Sequence, residues 1–273
     1  MEYLYCKVSE LNNDLKNDII TLWKETFSDD KVYIDFILNT FKNSYVFYAL
    51  DGGILCAAAF FTDIKYKSRN SIYNSSYMYA CAVSENHRKK GLFSALYAYA
   101  ENILKDSGID FIFCVPENES LVGFYEKFGF VSNVFFDRKT AGPADHGIVF
   151  TDFDDDYVKL YSIYLKATSD EESVFIKSKD IFVSSIEDTV ALGFRIHYVS
   201  KDGTICGYIV AIDNFILSSC PPSEASNIAE NYAFVIGSDV IYEVYDGTKN
   251  VFCMTKSLCG EDVTKSIVSM LFE

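Results

Sequence analysis

The chain has 273 residues, of which 49% are hydrophobic, so it is long enough to bury a core in one large domain or two modest ones. Its formal net charge of -15 argues against nucleic acid, whose phosphates call for a broad basic face, and against anionic membrane surfaces as partners. With 20 Tyr, 23 Phe and only 4 Pro, it does not have the composition of a disordered chain. The acidity is uneven. Residues 1–150 carry 15 basic and 19 acidic side chains, and residues 151–273 carry 9 and 20. An acidic rim of this kind would attract a cationic amine. The start, Met1-Glu2-Tyr3-Leu4-Tyr5-Cys6-Lys7, lacks a basic stretch followed by an apolar one, and no apolar run approaches the ~18 residues of a membrane span. The eight cysteines include no CxxC pair, and several sit in apolar runs, as in Leu55-Cys56-Ala57. They read as buried thiols of a cytoplasmic protein. The three histidines, 87, 146 and 197, lack ligand spacing, so no metal is expected.

Taken in chain order, Tyr3 to Val8 alternates as a strand. Asp14 to Phe27 has apolar residues at helical spacing. Ser28-Asp29-Asp30 stops that helix and caps the next, Lys31 to Phe41. Tyr45 to Leu50, Asp51-Gly52-Gly53 and Ile54 to Lys65 predict a hairpin. Ser75 to Val83 predicts a strand, Leu92 to Ser107 a helix, and Ile109 to Val115 a strand that is apolar except at Asp110. Asn118 to Phe128 predicts a helix ended by Gly129, and Phe130 to Phe136 a strand. Helices packed on a sheet, in an α/β or α+β arrangement, are expected.

Residues 141–156, with Gly142-Pro143 and the acidic run Asp154-Asp155-Asp156, read as a linker. Beyond it the order of elements echoes the first half. Tyr157 to Thr168 and Glu171 to Ser178 read as helical. Phe194 to Ser200 and Thr204 to Ile212 flank Lys201-Asp202-Gly203 as a second hairpin. A helix at Ser223 to Phe234 precedes strands at Val240 to Tyr245 and Asn250 to Leu258. This order suggests an internal repeat.

Two segments carry chemistry. In the first, a strand ends at Val83, and a polar loop with Arg88, Lys89, Lys90 and Gly91 leads into a helix starting at Leu92. The start of a helix offers unpaired N–H groups and the positive end of its dipole, which suits a pyrophosphate. Gly91 lets the backbone come close, and the three cations add donors. In the second, a strand ends near Val115. Asn118 then caps a helix that closes with Phe124-Tyr125-Glu126-Lys127-Phe128-Gly129-Phe130. Read alone, the first segment is equally a basic turn capping a core helix, and Tyr125 equally a core tyrosine.

Together the two segments resemble the GNAT superfamily of N-acetyltransferases. Arg88 and Gly91 match its Arg/Gln-x-x-Gly-x-Gly/Ala motif, with a departure at Phe93. Asn118 and Phe124 through Phe130 match its second pattern, with a departure at Leu121. The resemblance covers about residues 1–140. It implies a mixed, mostly antiparallel sheet flanked by helices, with the strands ending at Val83 and Val115 splayed around the pantetheine arm of acetyl-CoA. It further implies that the backbone at Cys81, Ala82 and Val83 pairs with that arm. Arg88, Lys89, Lys90, Gly91, Leu92, Phe93 and Ser94 would hold the pyrophosphate, and Asn118 would touch the cofactor near the thioester. Residues 157–273 lack both motifs. They are expected to form a second, smaller α/β domain resembling a degenerate GNAT fold, which shapes the acceptor pocket or forms a homodimer contact. An unrelated lid domain is the other reading.

The implied reaction is direct attack of an amine on the thioester. An alkyl ammonium of pKa about 10.4 is only about 0.04% neutral near pH 7, so a base must offset roughly 4–5 kcal/mol. The strand Ser75 to Val83 contains no carboxylate. Glu117, at the expected mouth of the splay, is the candidate base; the C-terminal carboxylate of Glu273 is another, and His87, next to the loop, reads as a surface residue. Tyr125 is expected to protonate the leaving thiolate. A catalytically silent acyl-CoA-binding regulatory module is the alternative function.

Overall fold

The structure is a computed structural model that describes residues 1–245 and 250–262, together with the backbone of residues 267–268. Glu273, one of the carboxylates considered above, lies outside the described residues. The chain divides into two compact units. The first comprises Met1–Lys65, Tyr73–Val115 and Thr255–Asp262, and the second holds Tyr66–Ile72 and Pro116–Met254. Residues 116–140, grouped by sequence with the first half, fall in the second unit.

The first unit runs β1 (Glu2–Lys7), α1 (Asn13–Phe27), α2 (Lys31–Thr40), β2 (Tyr45–Asp51), β3 (Ile54–Ser68), β4 (Ser71–Val83), α3 (Leu92–Asp106) and β5 (Phe111–Cys114). Each early helix starts where a side chain caps it. Asn12 Oδ1 accepts from Leu15 N at 2.9 Å, and Asp30 Oδ1 accepts from Tyr33 N at 2.8 Å. A cap of this kind contributes about 1 kcal/mol. The apolar stripes of α1 and α2 (Ile19, Trp23, Ile34 and Leu38 among them) pack with Val46, Ala58 and Phe60 of the β2–β3 hairpin, and each such side chain contributes about 1.5–3 kcal/mol by burial. The strands order as β1-β2-β3-β4-β5. β1 with β2 and β2 with β3 are antiparallel, and β4 with β5 is parallel. The antiparallel β2 and β3 are joined by the tight Gly52-Gly53 turn; the parallel pair needs the α3 crossover. Asp110, the charged residue before β5, serves the fold. Its carboxylate accepts from Asn74 N at 2.9 Å and fixes the start of that strand beside β4.

The second unit contains α4 (Glu119–Glu126), β6 (Val131–Ala141), β7 (Ile148–Asp152), α5 (Tyr157–Asp170), β8 (Ser173–Ile176), α6 (Lys179–Ala191), β9 (Arg195–Lys201), β10 (Thr204–Ile212), β11 (Phe215–Cys220), α7 (Ala225–Ile236), β12 (Val240–Val244) and the start of β13 (Asn250–Ser257). Its strands order as β6-β12-β11-β10-β9-β7. Several features differ from the sequence reading, among them β11, a strand where no element was expected. Residues 148–152, inside the stretch read as a linker, form β7, which pairs antiparallel with β9. Residues 173–176, read as helical, form β8, because Ser-Val-Phe-Ile is a short apolar, β-favouring run with fully buried Val174 and Phe175. The helix lies just beyond, in α6, where Ser178 caps Ile181 N. Its Ser, Thr and Val content gives it weak helical propensity and hides it from periodicity.

The two units follow one plan, since β9-β10-β11, α7, β12 repeats β2-β3-β4, α3, β5. In both series the hairpin strands are antiparallel, and the strand after the crossover helix is parallel to the one before it.

Candidate cofactor and catalytic site

In the first unit β4 and β5 pair from Ser75 opposite Phe111 to Met78 opposite Cys114. β5 ends there, while β4 continues to Val83. At the point of departure Ala80 sits at φ 46°, a left-handed conformation that costs a non-glycine residue about 1–2 kcal/mol. Beyond Met78 the strand runs on to Val83 past the last residue paired with β5. Tyr79, Ala80, Cys81 and Val83 are part-exposed there, and Ala82 is buried. An extended ligand could therefore use backbone groups of residues 81–83 that β5 does not reach. No sequence signal marks Ala80, because alanine is not selected for positive φ.

The loop beyond β4 is held from both sides. Ser84 N donates to Cys56 O of β3 at 2.9 Å, and Arg88 Nε donates to Val83 O at 2.9 Å. A short 3-10 turn, Glu85–His87, leads to Lys89 at φ 60° and Gly91 at φ 76°. A Cβ built at Gly91 meets nothing within 4 Å, so it is the left-handed backbone that calls for glycine here, not lack of space. Gly91 is the N-cap of α3, and no side chain caps that helix. By contrast α1, α2, α4, α5 and α6 each have a side-chain oxygen on a first-turn N–H. The first turn of α3, Leu92, Phe93 and Ser94, thus presents backbone donors together with exposed Arg88, Lys89 and Lys90. This donor set suits a pyrophosphate. Phe93, the departure from the motif, stacks on Tyr97 one turn along, with centroids 6.3 Å apart, so its ring lies along the helix.

The sequence reading missed Tyr97. It is buried on α3, and burial, followed by the Glu101 carboxylate and the Cys114 and Cys81 thiols, holds its hydroxyl far above the usual phenol range. Glu101 pairs with Lys256 at 2.5 Å, and Lys256 Nζ lies 5.3 Å from the Tyr97 ring centroid. Tyr97 therefore stays a neutral phenol beside the end of the β4–β5 ladder. Its helical spacing from Phe93 and Leu104 reads only as a core stripe, so no local signal sets it apart.

The second motif lies in the second unit. Asn118 caps α4: its Oδ1 accepts from Ser120 N at 3.1 Å and from Ser120 Oγ at 2.6 Å. Tyr125 is 7% exposed, with its ring 5.4 Å from Phe124 and 5.7 Å from Phe130. Glu117 is exposed.

The corresponding turn of the second unit differs chemically. Between β11 and α7 the chain reads Cys220-Pro221-Pro222-Ser223-Glu224. The two prolines have no N–H to offer, and Glu224 stands at the N-cap of α7, where its charge repels an anion. Leu217, Ser218, Ser219 and Cys220 are all buried. A Cβ at Gly207 would meet Cys220 O at 2.1 Å, so β10 closes tightly on this end of β11. Among the described residues no group of His, Cys, Asp and Glu is arranged to hold a metal, and no helix is long and apolar enough to cross a membrane.

Comparison with known proteins agrees with this geometry. Residues 10–130 match the family model described as the acetyltransferase (GNAT) family. No curated protein matches the chain in sequence. A probable N-acyltransferase from Enterococcus faecalis has a similar structure, with TM-score 0.77 at 10% identity over 95% of this chain and 73% of that one. A GCN5-related N-acetyltransferase from Kribbella flavida gives 0.70 at 11% identity, over 94% and 71%. The N-myristoyltransferase of Saccharomyces cerevisiae, solved with bound myristoyl-CoA, gives 0.54 at 11% identity, over 98% and 89%. Likeness at such identities is one of fold. Over residues 10–130 the chain thus resembles the acetyltransferase (GNAT) family in sequence, and its fold is that of the solved acyltransferases.

Proposed function

We propose that the chain is an N-acetyltransferase that moves an acetyl group from acetyl-CoA to an amine by direct transfer in a ternary complex. The observation that carries this reading is the combination, within one unit, of an opened β4–β5 end with an uncapped, cation-flanked helix start. Bound acetyl-CoA supplies the activated thioester. The backbone of Cys81, Ala82 and Val83 lines the pantetheine arm like an added strand. The amides of Lys89 to Ser94, with Arg88, Lys89 and Lys90, hold the pyrophosphate. Asn118 keeps its side-chain NH2 for the ligand, since its oxygen caps α4. Tyr125 donates a proton to the leaving thiolate and recovers it from solvent, and Glu117 accepts the proton of the incoming ammonium. The second unit, with its proline-closed turn, is a degenerate GNAT-like half, and the acidity of residues 151–273 favours a cationic amine.

The test is release of free thiol from acetyl-CoA and from longer acyl-CoAs against a panel of mono-amines, polyamines and peptide amines. Amine-dependent release, fastest with acetyl-CoA, supports the reading. Faster release from a long acyl-CoA contradicts the acetyl assignment. Binding without release across the whole panel favours the silent acyl-CoA-binding module, which the lack of a carboxylate in residues 75–83 of β4 also allows.

A further inference from the structure

His87 stands beside the phosphate-binding turn, and its ring is committed at both nitrogens. Nδ1 lies 2.8 Å from Ser84 Oγ, and Nε2 lies 3.5 Å from Cys56 Sγ. The Cys56 thiol in turn donates to Ile54 O at 3.2 Å. That bond fixes the direction of the chain. With its hydrogen on Ile54, the sulfur presents a lone pair to Nε2–H, and Nδ1 accepts from the Ser84 hydroxyl. One neutral tautomer satisfies every contact. Asp51 Oδ2, 3.7 Å from Nε2 and largely exposed, lies beyond hydrogen-bond reach.

These bonds join three pieces of backbone. Cys56 is fully buried on β3, and Ser84 follows the end of β4. His87 N also donates to Ser84 O at 2.9 Å, which closes the turn that hands the chain to Arg88. The polar contacts of its ring are with Cys56, Ser84 and Asp51, not with the side chains of Arg88, Lys89 or Lys90.

We infer that His87 is a positioning residue for the phosphate-binding turn, tying it to β3 through Cys56 so that the amides of residues 89–94 stand in place before any ligand arrives. The inference rests on the acyl-CoA reading of that turn. A turn ordered in advance binds without meeting the ordering cost at association. Without the ring, the Ser84–Gly91 segment must order on each binding event, and affinity falls for ligands that carry the phosphates.

The test compares wild type, His87→Ala and His87→Gln, the last retaining a side-chain N–H that can reach toward Cys56. Two ligands are titrated: acetyl-CoA, and S-acetylpantetheine, which keeps the thioester arm but lacks the phosphates. We expect His87→Ala to weaken acetyl-CoA at least tenfold and leave S-acetylpantetheine unchanged, and His87→Gln to recover most of the loss. Amide hydrogen exchange of residues 88–94 in the ligand-free proteins gives a second readout, faster in His87→Ala and restored in His87→Gln. Unchanged exchange, unchanged acetyl-CoA affinity, or an equal loss for both ligands overturns the inference. If wild type binds no acetyl-CoA, the acyl-CoA reading falls, and the exchange rates still decide whether His87 holds the turn.

Discussion

Gly91→Ala tests whether the left-handed start of α3 is what presents the anion-binding amides. At φ 76°, with nothing within 4 Å of a built Cβ, the new methyl group meets no atom, so the whole cost is backbone strain. That strain is about 1–2 kcal/mol for an alanine held in the left-handed region. The protein can keep the conformation and lose that stability, or relax Gly91 toward negative φ and turn the Leu92–Ser94 amides away. Gly203 provides the control. It sits in the β9–β10 turn of the other unit at φ 75°, also with open space around its Cβ position, so Gly203→Ala carries the same strain away from the proposed site. Denaturant unfolding should give losses of about 1–2 kcal/mol for both variants. Calorimetry should show acetyl-CoA binding at least tenfold weaker in Gly91→Ala, a loss of about 1.4 kcal/mol or more, and unchanged in Gly203→Ala. Wild-type affinity in Gly91→Ala, or an equal affinity loss in both, would refute the reasoning.

Three further expectations concern other parts of the molecule. Tyr125→Phe keeps the ring contacts with Phe124 and Phe130 and removes only the hydroxyl; turnover should fall by tenfold or more while acetyl-CoA affinity holds, and unchanged turnover removes Tyr125 as the acid. Lys177 is fully buried, with Nζ 3.1 Å from Ser185 Oγ, and burial pushes its pKa well below the usual lysine value. Between its lowered folded value and about 10.4 the unfolded chain binds more protons, so stability must rise with pH in that window and be lost as pH falls. Lys177→Met should flatten that slope and raise stability at pH 7, by no more than about 4–5 kcal/mol; a variant with the wild-type slope assigns the pH dependence elsewhere. Trp23, the only tryptophan, is buried in the first unit with its Nε1 donating to Asp29 at 2.8 Å, so its fluorescence follows that unit. Acetyl-CoA should raise the midpoint of its thermal transition progressively with ligand excess, and an unmoved midpoint at saturating ligand places binding outside this unit.

Most of the fold of the first unit could be read from local patterns. Asn12 and Asp30 mark their helices because capping chemistry is written in the cap residue itself, and Gly52-Gly53 marks its hairpin for the same reason. The turn proposed to bind the phosphates stands out in sequence because Arg88, Gly91 and the apolar run after Leu92 lie within one short window. What stayed hidden depends on distant partners. Nothing local shows that Ala80 will take a positive φ, since that residue stands just past Met78, the last one paired with β5. The place of His87 depends on Cys56, which lies on a neighbouring strand, and Tyr97 gains its character from burial, with Glu101, Cys114 and Cys81 adding to it. In the second unit, β8 and α6 were misplaced because tertiary burial of Val174 and Phe175 outweighs the weak local signal. The meaning of Pro221-Pro222 emerges only when the parallel β11–β12 pair places it at the position that the β4–α3 turn holds in the first unit.

Calorimetric titration of the protein with acetyl-CoA tests the acyl-CoA site most directly. Saturable binding at one site per chain is expected, weakened by Gly91→Ala and by rising salt as charged phosphate contacts are screened. Absence of binding, or binding of the same strength in Gly91→Ala, would contradict an acyl-CoA site at the β4–α3 turn.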